Sequence, residues 1–260
     1  MSNQHQLIAE YLDAFKPHGM VPILIPLGQE AGDVMDRLGE EFICRRTDCF
    51  TDLTPRESPS ALPNLELGTA AAAHFGLRVS QVGEAELRAM GGNRVILRFD
   101  NVTAEAVSQA AFRQSLRPDA CPDIARLLAK DPDSLQDGIV LLAQVFRARR
   151  IMRLEKRREA KGGFALSGLQ AMAERFGLRL RAAAGGDLKR AETIELGTTE
   201  SLPVAFRPAF VRIEPGQLAS FRAVDEPADR AVLHEFSAGR DSDVAALGAW
   251  MDRQLSRLRR

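Results

Sequence analysis

The stretch Ile139–Arg158 reads IVLLAQVFRARRIMRLEKRR, and the rest of the chain is best read outward from it. After an apolar start it alternates. On a strand, Phe146, Ala148, Met152 and Leu154 project to one side, and Arg147, Arg149, Arg153 and Arg157 project to the other with Ile151. Only Arg150 interrupts the apolar side. The pattern predicts one very long strand, well beyond typical strand lengths. Returning strands are expected at Glu192–Leu196 and Leu202–Ile213, joined by turn chemistry at Gly197-Thr198-Thr199.

Upstream, Arg94–Phe99 shows the same alternation, with Val95, Leu97 and Phe99 facing away from Arg94, Ile96 and Arg98. That is a half-buried strand. Leu7, Ile8, Tyr11, Leu12 and Phe15 recur at helical spacing, so a first helix is expected over about 4–15, ending before Pro17. Val21–Leu27 carries Pro22 and Pro26 and reads as an edge strand or extended segment. A strand is expected over Glu41–Phe50, then a Pro-rich loop over Thr54–Pro63. Thr103 reads as the cap of a helix running to about Leu116, with Val107, Ala110 and Ala111 as its stripe. A second helical stretch covers Pro122–Lys130, and Gly216–Ser237 is linker-like. The fold class is α+β: a central twisted antiparallel sheet with surrounding helices.

The chain is expected to end in an amphipathic helix over about 241–258. Asp241, Ser242 and Asp243 suit its start, and Arg253, Arg257, Arg259 and Arg260 suit its end. Val244, Leu247, Met251, Leu255 and Leu258 form its apolar stripe, with Trp250 at the border. A terminal helix with one apolar side must dock on something, and on a tether it has the form of a plug. The expected division is therefore a domain over 1–236 and a terminal segment over 237–260.

With 260 residues, 45% of them hydrophobic, the chain is long enough to bury a sizeable core. Its 35 basic and 35 acidic side chains leave no net charge, which argues against a general nucleic-acid binder. Three cysteines do not make a disulfide scaffold and suggest free or redox-sensing thiols in a reducing compartment. Arginine outnumbers lysine 30 to five, as expected of a GC-rich, bacterial genome. The polar start carries no targeting pattern and no apolar run reaches the ~20 residues of a spanning helix, so a cytoplasmic location is expected. Membrane entry as β-strands stays open, because these need only about 9–11 residues.

The most unusual local feature is charge. Val145–Lys161 holds eight basic residues, Arg147, Arg149, Arg150, Arg153, Lys156, Arg157, Arg158 and Lys161, against Glu155 and Glu159, hence six net positive charges. Such a run serves as a solvated sheet face, as a surface for anionic lipid, where each basic residue adds ~1 kcal/mol, or as a nucleic-acid contact. It lacks interleaved aromatics for base stacking. Spacing alone does not decide among the three.

Catalytic patterns are thin. Cys44 and Cys49 lie beside Arg45, Arg46 and Asp48, which favour a lowered thiol pKa, but no histidine adjoins them. The four histidines have no metal-ligand spacing, and no phosphate loop, dinucleotide pattern or nucleophile elbow is present. The expectation is a protein that is not an enzyme and needs no cofactor or metal.

In order along the chain, the turn Lys156-Arg157-Arg158-Glu159-Ala160-Lys161-Gly162-Gly163, the segment Phe164-Ala165-Leu166-Ser167-Gly168 and the core Leu202-Pro203-Val204-Ala205-Phe206-Arg207 resemble the second membrane hairpin of gasdermins. Gly32-Asp33-Val34 and Cys44-Arg45-Arg46 extend the resemblance loosely into the first hundred residues. It implies a pore former kept inactive in the cytoplasm until an inhibitory C-terminal part is removed. The freed domain would bind anionic lipid, unfold hairpins from about His74–Leu116 and Ile139–Ile213, and assemble many copies into a β-barrel pore in the cell membrane that kills the cell in defence.

The chain is too short for the large repressor domain of vertebrate gasdermins and resembles the short bacterial members, whose inhibitor is a peptide cut off by a partner protease. The 241–258 helix stands in that place, with Ser237, Ala238, Gly239 and Arg240 as the expected cleavage region. Many bacterial members carry a lipidated cysteine near the start. Here the first is Cys44, so Cys44 and Cys49 remain only candidates for acylation or redox control. The rival readings are a non-enzymatic adaptor binding anionic lipid or nucleic acid through residues 147–161, and a thiol enzyme using Cys49.

Overall fold

The computed structural model describes residues 3–24, 26–36, 42–68, 92–108, 111, 139–156, 166–185, 187–188, 191–212 and 220–223. Its elements are helix α1 (Asn3–Phe15), strands β1 (Val21–Pro22), β2 (Val34–Asp36) and β3 (Phe42–Cys44), the single-turn helix α2 (Arg46–Cys49), and strands β4 (Arg56–Pro59) and β5 (Leu65–Leu67). Then come the long strands β6 (Gly92–Ala106) and β7 (Ile139–Lys156), helix α3 (Leu166–Phe176), and strands β8 (Arg179–Ala182), β9 (Thr193–Gly197), β10 (Leu202–Arg212) and β11 (Ser220–Ala223). Two compact units divide these residues, and β6 and β7 contribute to both.

One unit draws on Met1–Ala14, Ser60–Val102 and Ala148–Leu202. Ile8, Tyr11 and Leu12 bury one side of α1, as their spacing predicts. Leu65 and Leu67 of β5 lie opposite Leu97 and Val95 of β6, and all four are buried. On β9, Leu196 and Ile194 face Met152 and Leu154 of β7, with Leu180 and Ala182 of β8 on the other flank. Alternation does its expected work for the apolar residues: Met152, Leu154, Ile194 and Leu196 enter the core, although Glu195 between the last two is buried as well. In α3, Leu169 and Ala173 are buried one turn apart. Gly177 ends that helix at φ +62°, with its own N–H bonded to Glu174 O at 3.4 Å and Leu178 N–H to Ala173 O at 2.8 Å, a Schellman cap.

The second unit draws on Phe15–Pro59, Thr103–Arg147 and the chain from Pro203 onward. β1 pairs antiparallel with β10 (Val21 opposite Phe206), and β2 pairs antiparallel with β3 and with β7 (Val34 opposite Leu141). Val21, Ile23, Ala31, Met35, Val140, Leu142, Val145 and Phe206 form its core. The sheet is open and mostly antiparallel, in the order β1-β10-β7-β2-β3.

Several expectations are corrected. Thr103 lies inside β6, opposite Pro59 of β4, so pairing with a neighbouring strand overrides its capping preference. Among the described residues the helical one nearby is Ala111, whose N–H is capped by Ser108 Oγ at 3.1 Å. The expected loop Thr54–Pro63 contains β4, whose four residues are all exposed; only its ladder with β6 makes it a strand. The expected strand Glu41–Phe50 is β3 followed by α2, because the Asp33 carboxylate captures the Arg46 N–H at 2.9 Å and starts a turn. The linker-like segment contains β11, which pairs with β10. Helix α3 and strand β8 were not anticipated. The expected helices at 122–130 and 241–258 lie outside the described residues.

Candidate functional site

The charged side of β7 meets acidic residues of β6. In the second unit, Arg147 Nε bonds Glu105 Oε1 at 3.2 Å, and its Nη2 donates to Gln29 O at 3.0 Å. The other Glu105 oxygen accepts from Ala31 N–H at 3.5 Å. Gly32 N–H reaches Leu142 O at 2.8 Å, and Leu142 N–H reaches Asp33 O at 2.9 Å. The loop Leu27–Asp33 is thereby fastened to both long strands. From behind, the buried Asp33 carboxylate accepts Glu30 N–H (2.9 Å), Arg46 N–H (2.9 Å) and Arg45 Nη1 (3.2 Å). Arg45 also donates to the carbonyls of Gly28 and Leu27, and its guanidinium stacks on Phe42 at 3.4 Å. Arg46 Nη2 pairs with Glu30 at 2.8 Å. Gly32 has φ +97°, and a Cβ there would meet Arg46 and Leu53 side-chain carbons at 3.0 Å, so only glycine fits.

Burial pushes the Asp33 carboxyl above its ordinary 3.8, and the Arg46 and Glu30 amides and Arg45 pull it part of the way back. A carboxyl raised in the folded state adds stability below its unfolded pKa and loses it as pH rises through the folded value. Asp33→Asn removes that dependence. Between about pH 4 and pH 7, wild type should therefore lose stability relative to Asp33→Asn. Urea midpoints of both proteins at the two pH values check the sign, and a wild-type advantage that grows with pH would contradict it.

In the first unit, Arg149 Nη2 pairs with Asp100 at 3.0 Å, and Arg153 Nε pairs with Glu155 at 3.3 Å. Glu195 on β9, buried, holds Arg98 of β6 at 3.3 Å and Arg181 of β8 at 2.8 Å. Asn101 has a positive φ of 51°. Across it the buried side of β6 changes phase, from Val95 and Leu97 to Ala104. Asp100 and Glu105, an odd number of residues apart, thus both reach arginines on one side of β7. Arg150 points the other way and is 1% exposed, among the core residues of its unit. Burial pushes the Tyr11 phenol above its ordinary 10.0, and the nearby Arg150 charge partly offsets this.

Of the basic run, Arg147, Arg149 and Arg153 are thus half-buried and ion-paired rather than a bare cationic patch, and Arg150 is a core residue. The Lys156 side chain and Arg157, Arg158 and Lys161 lie outside the described residues, as do Ser237, Ala238, Gly239, Arg240, Val244, Leu247, Trp250, Met251, Leu255 and Leu258. Cys44 is buried and disulfide-bonded, so in this form it carries no free thiol; a cysteine count reports thiols, not their distances. The Cys49 side chain is not among those described. The acidic partners Asp100, Glu105 and Glu195 were missed. Their only advance signal was that the stretches around the basic run had to supply balancing charge.

Among the described residues there is no group of three metal-ligating side chains, and no helix long and apolar enough to cross a membrane. The architecture is an open, mostly antiparallel sheet with a few helices, its two long strands charged on one side. No family model matches the chain, and no curated protein matches it. The fold is similar to the solved structure of a bacterial gasdermin from Bradyrhizobium tropiciagri, with TM-score 0.50 and 13% identity over 82% of this chain and 90% of that one. The fold is therefore gasdermin-like.

Proposed function

We propose that this chain is an autoinhibited pore-forming protein of bacterial defence. The observation that carries the reading is the gasdermin-like fold extending over 82% of the chain. The chemistry of β6 and β7 supports it. Each is longer than the about 9–11 residues that a membrane strand needs, and each has an apolar and a charged side. Inserted strands must pair every backbone group in a closed barrel, so insertion is coupled to assembly of many copies. In this reading the protein rests in the cytoplasm and a partner protease cuts within 237–240. Loss of the 241–258 segment then frees the domain to bind anionic lipid in the cell membrane. Arg147, Arg149 and Arg153, ion-paired in the resting fold, meet lipid phosphate only once their carboxylates let go.

Dye release from anionic liposomes tests this. Full-length protein should be silent, and protein cut near Arg240 with both fragments present should leak. If the cut form binds the liposomes without leakage, the adaptor reading replaces the pore.

A further inference from the structure

We infer that the loop Leu27–Asp33 is a buckle over β6 and β7 that an anionic membrane surface opens, a restraint distinct from the terminal segment. The inference rests on the pore reading. The loop touches the long strands through its backbone: Gln29 O holds Arg147, Ala31 N–H holds Glu105, and Gly32 and Asp33 hold Leu142. Its own shape is fixed by Arg45, which grips the carbonyls of Leu27 and Gly28 together with the Asp33 carboxylate. Beyond the loop the chain runs straight into β2, which pairs with Ile139–Leu141. Neither long strand can leave the sheet while these bonds stand.

None of these bonds involves a residue after Arg147. Cutting near Arg240 removes none of them, so opening is a second step. Arg147 is the residue through which a membrane can act. Its guanidinium is shared between Glu105 and Gln29 O, and a lipid phosphate offers a competing bidentate acceptor. The negative surface potential that attracts Arg147 also repels Glu105. Exchange of Glu105 for phosphate thus frees the strands where the membrane is, and not before.

The test compares cut wild type with cut Glu105→Gln on phosphatidylcholine vesicles with and without phosphatidylglycerol. Gln keeps an acceptor for Ala31 N–H but removes the charge. The expected result is a wild-type lag before leakage that lengthens about tenfold without phosphatidylglycerol, the scale of one charge-assisted hydrogen bond. Cut Glu105→Gln should show a short lag on both vesicles. Hydrogen exchange on cut wild type gives a reading that needs no variant. The Gly32 and Leu142 amides should stay protected in solution and, once phosphatidylglycerol vesicles are added, open ahead of the β7–β9 ladder at Ile151–Glu155. The inference is overturned if Glu105→Gln keeps the wild-type lipid dependence, or if those amides are already open in the cut protein alone. If cut wild type leaks from neither vesicle, the pore reading itself fails, and the loop is only a structural contact.

Discussion

Phe206→Ala should lower the unfolding free energy by about 3–5 kcal/mol, the loss measured when a buried aromatic side chain is cut back to Ala. Phe206 is 1% exposed and stands opposite Val21, in the core shared with Met35, Leu142 and Val145. The surrounding β-ladder cannot collapse into the vacated space, so both transfer and cavity contributions apply. For a chain of this size the melting temperature should fall by on the order of 10 °C. Thermal unfolding followed by circular dichroism measures it. A fall of less than about 1 kcal/mol would mean that β10 is not packed as described. Because β10 is one arm of the proposed second hairpin, the cut variant should also leak sooner than cut wild type.

Arg150→Met should move stability the other way. Arg150 is among the largest fully buried side chains, on the same side of β7 as Ala148 and Met152. Replacing a whole buried ion pair by apolar side chains of similar volume is often neutral or stabilising by about 1–4 kcal/mol, because the desolvation cost disappears while the space stays filled. The neutral Tyr11 phenol beside Arg150 leaves no charge stranded there. Urea denaturation of the full chain reads this directly. A loss above about 2 kcal/mol would show that the contacts of Arg150 outweigh its desolvation. The same side of β7 is the lipid-facing one in the proposed barrel, where a midplane arginine costs about 2–4 kcal/mol per chain. Cut Arg150→Met should therefore leak at a lower protein concentration than cut wild type. The two substitutions separate causes: one weakens the resting fold, and the other favours the inserted state without weakening the resting one.

Where periodicity and burial agree, the fold is legible from residues alone. β7 could be read because Phe146, Ala148, Met152 and Leu154 enter the core while Arg147, Arg149 and Arg153 stay half-buried. α1 could be read because Ile8, Tyr11 and Leu12 share one side. β4 could not, since Arg56, Glu57, Ser58 and Pro59 are all exposed and carry no hydrophobic signal. Thr103 misled because its local preference for a cap is weaker than the ladder that β4 offers it. The site was half legible. The basic run and the two short motifs Gly32-Asp33 and Cys44-Arg45-Arg46 stand out in the sequence. That Asp33 gathers Arg45 and Arg46, and that Glu105 meets Arg147 across 42 positions, are facts of tertiary pairing with no local trace.

Asn101 bears on how such chains are found. At that one residue the alternation of β6 slips by a single step. A pattern scan with strict two-residue phase splits this 15-residue strand into two short, unremarkable pieces. Distant relatives of a fold held together by pairing rather than by shared residues will escape such scans, as they escape matching by identity. A scan that permits one phase slip at an Asn or Gly, the residues that tolerate a positive φ, would recover them.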